Sequence, residues 1–118
     1  MKRKLIGLKY NGKRIDIEAY MVPKWYEGIG LMFHRRKNAK ALLFGFRNPV
    51  RMPIHSFFVF FPFTAIWMDE KWRIIDVKVV KPFEFGVSPS EKFTRLLEIP
   101  SNERYDFFEF PTAKERFK

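Results

Sequence analysis

The sequence predicts a mainly β fold, a single compact domain closed as a barrel or packed as a small sandwich, with one short helix near residues 23–28. Three observations lead there. Short apolar or alternating segments recur between Gly, Pro and Asn turn signals. At most one segment suits a helix. Residues 57–63 hold five phenylalanines in seven positions, a composition that must be covered and that would aggregate as an open edge.

The elements follow in order. Lys4–Tyr10 places Ile6, Leu8 and Tyr10 on one side, and Arg14–Tyr20 alternates with Ile15, Ile17 and Ala19 inward. Asn11-Gly12 between them suits a type I′ turn, making a hairpin. Pro23 fits the first position of a short helix reaching Glu27 or Gly28, with Trp25 or Tyr26 packing beneath the sheet. Gly28 and Gly30 stop it, so that Leu31-Met32-Phe33 enters the core and 35–38 forms a basic loop.

Ala41–Phe46 is expected as a buried strand, followed by a loop from Arg47 to Pro53. Ile54–Phe61, apolar on both faces, is expected as an interior strand, ended by Pro62, which cannot donate to a ladder. Phe63–Asp69 and Trp72–Val80 make a second hairpin around Asp69-Glu70-Lys71. Phe93–Ile99 is a further strand stopped by Pro100, Phe107–Phe110 a last short one, and 112–118 a charged tail that frays.

The chain of 118 residues suits one domain, residues 1–118. With 47% hydrophobic residues its core needs no disulfide or metal, and the absence of cysteine excludes disulfides and thiol chemistry. The longest apolar run, Phe57 to Met68, falls short of the roughly 20 residues of a membrane helix. The four-residue apolar run after Lys4 is too short for a signal peptide. A soluble, cytoplasmic protein is expected. High charge without any glutamine follows a trend of thermophile proteins.

The net charge of +10 lies entirely in residues 1–51, which hold 13 Lys/Arg against 3 Asp/Glu, while the remainder balances. Arg35, Arg36, Lys37, Lys40, Arg47 and Arg51 form a basic surface flanking Phe33 and Phe46, a pattern open to nucleic acid or an acidic partner as well as to simple solvation.

Gly30-Leu31-Met32-Phe33, Leu42-Leu43-Phe44-Gly45-Phe46, the Phe-rich segment ending at Pro62, Ile66-Trp67-Met68-Asp69 and Leu96-Leu97-Glu98-Ile99-Pro100 occur in one order. Together they resemble the DUF192 family, also called UPF0127, over about residues 15–105. Met52 to Pro62 is similar to archaeal members in particular. The resemblance implies a mainly β domain of barrel or jelly-roll kind with a short helix before Gly30, and no established activity. Where bacterial relatives show a Trp-Met-Lys-Asn-Thr stretch, this chain has His55-Ser56-Phe57-Phe58-Val59, so a polar site built on that stretch is missing here.

Catalytic groupings are scarce. His34 and His55 are the two histidines; a metal or acid–base pair made from them lacks a further ligand at suitable spacing. The four serines lie outside any Gly-x-Ser-x-Gly elbow, and Gly28-Ile29-Gly30 lacks the rest of a phosphate-binding loop. Asp69, Glu70 and Asp76 suit a solvated hairpin. The leading reading is a non-enzymatic domain without cofactor or metal, binding a partner or an apolar small ligand. His55 and Ser56 would orient that ligand, with Trp67 among the aromatic residues lining its pocket. Alternatives are nucleic-acid or acidic-partner binding, or an orphan hydrolase or metal enzyme using His34 and His55. Oligomeric state is left open.

Overall fold

Among the described residues six strands form one sheet: β1 (Arg3–Tyr10), β2 (Lys13–Met21), β3 (Leu42–Val50), β4 (Phe63–Met68), β5 (Ile74–Val80) and β6 (Phe93–Pro100). Its order is β1-β2-β3-β6-β4-β5. The computed structural model describes residues 1–10 and 12–105. All pairings are antiparallel except a short parallel contact in which Tyr20 and Met21 of β2 meet Leu42 and Leu43 of β3. The first hairpin forms as expected: Tyr10 pairs with Lys13, and Gly12 adopts φ 79°. Asn11, the other half of the predicted turn, lies outside the described residues, as do the predicted strand Phe107–Phe110 and tail 112–118.

Two apolar layers, one on each face, explain why β3, β4 and β6 read as continuous hydrophobic runs. One layer holds Ile6 and Leu8 of β1, Ile17 and Ala19 of β2, Leu43, Ile66, Met68, Val77, Leu97 and Ile99. Because both edge strands β1 and β5 contribute to it, the sheet curls around this layer as a half-barrel. The barrel interior is thus filled with side chains, as is usual for small barrels. The second layer alternates with the first: Leu42 and Phe44 of β3, Phe63, Ala65 and Trp67 of β4, and Leu96 of β6. Residues 22–41, 51–62 and 81–92 cover it, contributing Val22, Leu31, Ala39, Val59 and Phe61.

These covering segments depart most from expectation. The helix is a single 3-10 turn, Lys24–Tyr26, with Pro23 (φ −70°, ψ 157°) just before it. Tyr26 packs against the second layer, but Trp25 is exposed. Leu31 is buried as expected, whereas Phe33, at φ 63°, points outward.

Ile54–Phe61 is not a strand; only Ile54 makes a bridge, to Val87. Ser56 diverts the backbone. Its N–H donates to Glu84 O, its carbonyl accepts from Val59 and Phe83, and its hydroxyl donates to Lys81 O at 2.5 Å and accepts from Glu84 N at 2.6 Å. The two-residue rhythm persists without a ladder: Val59, Phe61 and Phe63 are buried, Phe58 and Phe60 exposed. Smaller shifts appear elsewhere. β3 runs on to Val50 through a register shift after Gly45, and β5 begins at Ile74 because Trp72 sits in the hairpin turn at φ 64°. There the Asp69 carboxylate accepts from the backbone N–H of Lys71 and Arg73.

Candidate functional site

Beneath the covering segments, on the outer face of the sheet, lies a cavity of about 430 Å³. Its floor comes from Phe44 and Phe46 of β3, Phe63 of β4 and Phe93, Leu96 and Glu98 of β6. Residues 27–32 and Met52–His55 form the walls. That volume lies within the roughly 300–1,000 Å³ of small-molecule pockets.

Glu98 is the unusual member. It stands in the middle of β6, paired with Leu42 on one side and Ala65 on the other, both apolar and on the same face. Only 6% of the residue is exposed. Among the described residues no hydrogen bond or ion pair reaches its carboxyl group. Desolvation therefore acts unopposed and pushes its pKa from 4.5 up to about 8, so the side chain is mostly protonated at neutral pH. Gly30 lets the wall approach: at φ 51°, a methyl group on its Cα would sit 3.5 Å from Phe44 Cζ and 3.6 Å from Glu98 Oε1. A buried polar group with no partner, facing a cavity, is suited to receiving one from a ligand.

The sequence-predicted site residues are distributed unevenly about this cavity. His55 lies on its wall, exposed, with Nδ1 accepting from the backbone N–H of Phe57 at 3.2 Å. Ser56 is completely buried and turned away, holding Lys81 and Glu84. Trp67 is also completely buried, edge-on to Phe93 at 6.5 Å, with its indole N–H unpartnered. Glu98 was missed as a site residue. The available signal was a glutamate within Leu96-Leu97-Glu98-Ile99-Pro100, a strand apolar on both faces.

His34 is half-buried, its Nε2 2.9 Å from the Tyr26 hydroxyl, and burial lowers its pKa. Among the described residues no three His, Cys, Asp or Glu side chains gather as a metal site. Of the basic residues, Arg35, Arg36, Lys37, Arg47 and Arg51 are exposed. Arg36 is tied to Ser101 O at 2.6 Å, and half-buried Lys40 donates to the Tyr20 hydroxyl at 3.0 Å. The phenylalanines beside them pack on other rings. Phe33 stacks on Phe58 at 5.0 Å, and Phe46 meets Phe93 edge-on at 5.5 Å, leaving less open ring face for a stacked base.

A wider groove of about 580 Å³ separates β1 from the β4–β5 turn. Several charged groups in and beside it are already engaged. Arg14 pairs with Asp16, Arg73 with Asp69, and Lys4 and Arg95 lie over the Trp72 ring.

No family model matches the chain. It is similar to UPF0127 protein PH1112 of Pyrococcus horikoshii. The two are 26% identical over 72 residues, which span 61% of this chain and 62% of the relative, less than two thirds of its length. This similarity supports the UPF0127 family. Among solved structures, a protein of unknown function from Novosphingobium aromaticivorans matches with TM-score 0.72 at 14% identity, over 83% of this chain and 73% of that one. A Sinorhizobium meliloti protein named provisionally as a transcription regulator matches with TM-score 0.70 at 18% identity, over 83% and 79%. Such likenesses show the shared fold alone. The chain is a small β-domain protein similar to proteins of unknown function, and none of its described helices is long and apolar enough to cross a membrane.

Proposed function

We propose that the protein is a non-enzymatic binding domain, residues 1–118, whose outer cavity takes a small ligand with an apolar body and one polar end. The supporting observation is Glu98, a buried carboxyl group without a partner on the floor of a phenylalanine-lined cavity. Apolar walls supply affinity by removing ligand surface from water, at about 25 cal/mol per Å² before ordering costs. Glu98 supplies orientation. His55, at the wall, is placed to contact the ligand, while Ser56 and Trp67 serve from outside by holding the covering segment and the sheet.

We read the chain as an archaeal-type, cytoplasmic member of its family, a reading supported by the similarity to the Pyrococcus protein and by the absence of glutamine. Titration calorimetry with six-carbon probes tests the binding reading. Saturable binding to one site is expected. Absence of binding by alcohol, amine and carboxylate probes alike would sink it, as would a specific turnover lost in His55→Ala.

A further inference from the structure

Resting on the reading that this cavity binds a ligand, we propose that it selects an alkylammonium, a positively charged amine on a short apolar chain, with the ammonium on Glu98 and Phe44 and the chain among Phe63, Phe93 and Leu96. Three features of the cavity favour a cation over a neutral or anionic end. The Glu98 carboxylate is an acceptor with several lone-pair directions and no donor aimed at it, which an ammonium with its N–H groups supplies. Phe44 Cζ and Glu98 Oε1 stand 3.5 and 3.6 Å from where a methyl group on the Gly30 Cα would lie, so an aromatic ring and the carboxyl group border the same part of the cavity. Four phenylalanines, Phe44, Phe46, Phe63 and Phe93, line the same space, and aromatic rings with a carboxylate are the usual surroundings of bound ammonium groups.

The charges around Glu98 do not oppose this. The other titratable groups on the cavity surface are Lys24, Glu27 and His55. Lys24 and Glu27 offset one another, and His55 is exposed at the wall. The strands flanking β6 present Leu42, Phe44 and Ala65 on the face of Glu98, none of them ionisable.

Binding is then linked to a proton. Free Glu98 holds its proton to about pH 8, whereas the bound ammonium requires the carboxylate. Amines of the lysine type stay charged to about pH 10. An alkylammonium should therefore expel about nine-tenths of a proton at pH 7, and its affinity should rise about tenfold between pH 7 and pH 9.

The test is isothermal titration of the protein with hexylamine, hexan-1-ol and hexanoate at pH 7 and pH 9, in buffers of different ionisation enthalpy. Hexylamine is expected to bind at least tenfold more tightly than hexan-1-ol at pH 9, with proton release at pH 7. Glu98→Gln should abolish both the preference for the amine over the alcohol and the pH dependence of amine binding. Equal, pH-independent binding of amine and alcohol, or tighter binding of hexanoate, would overturn the ammonium assignment and leave the cavity reading standing. No binding by any probe would overturn both. The comparison of probes on the unaltered protein decides the matter even where Glu98→Gln folds poorly.

Discussion

Replacing Glu98 by glutamine keeps the shape of the side chain and removes its charge, and its effect on stability should depend strongly on pH. Folding lifts the Glu98 pKa from 4.5 to about 8 through desolvation. The folded state therefore favours the protonated acid. The stability contributed by that preference is complete below about pH 4.5 and is lost as pH rises through about 8. A tenfold change in an acid's dissociation constant corresponds to about 1.4 kcal/mol, so the loss between pH 5 and pH 9 is roughly 4 kcal/mol. Against a total of about 5–15 kcal/mol for a domain, that is a large fraction. Urea denaturation of the wild type and Glu98→Gln at pH 5, 7 and 9 reads it directly. All other titrating groups cancel in the difference between the two proteins. Glutamine should gain on glutamate by roughly 4 kcal/mol across this range. A difference constant to within about 1 kcal/mol would show that the carboxyl group is solvated or paired, and the reasoning would fail.

Further expectations concern the segments that cover the sheet. Phe61→Ala, at a buried position, should cost about 3–5 kcal/mol in chemical denaturation. Phe60→Ala next to it, 62% exposed, should cost less than about 1 kcal/mol; equal costs would refute the inside–outside assignment. Ser56→Ala removes the hydroxyl's hydrogen bonds to the Glu84 N–H and the Lys81 carbonyl, so a loss of about 2–4 kcal/mol is expected with hexan-1-ol affinity little changed. Gly30→Ala forces a left-handed residue and narrows the cavity at Glu98, and should lower thermal stability and hexylamine affinity together. His34, whose pKa burial lowers, favours its neutral form in the folded state. Stability should therefore fall as pH drops below about 6.5, and His34→Gln should lessen that fall in the same denaturation assay.

The β1–β2 hairpin was legible because local signals agreed, with strict alternation in β2 and a glycine where a positive φ is needed. β4 and β6 were legible because strands covered on both faces leave continuous apolar runs. The Phe-rich segment misled for the same reason. Its alternation is real, yet its backbone groups pair with Phe33 and the distant segment 83–87, and the Ser56 hydroxyl holds the Lys81 carbonyl and the Glu84 N–H, partners that no local pattern announces. Three phenylalanines, Phe33, Phe58 and Phe83, adopt positive φ in these covering segments, where residue preference alone predicts glycine or asparagine. The cavity was hidden more deeply. Glu98 is conspicuous in its strand, but its significance depends on walls from residues 27–32 and 52–55, which only the tertiary fold brings over it.

Carbon-13 NMR titration of the Glu98 carboxyl group, with and without hexylamine, tests most directly whether an unpartnered acid of raised pKa faces the cavity. An apparent pKa near 8 in the free protein, falling when the amine is added, is the expected result. A value near 4.5 that the amine leaves unmoved would overturn both the burial of the group and its part in binding.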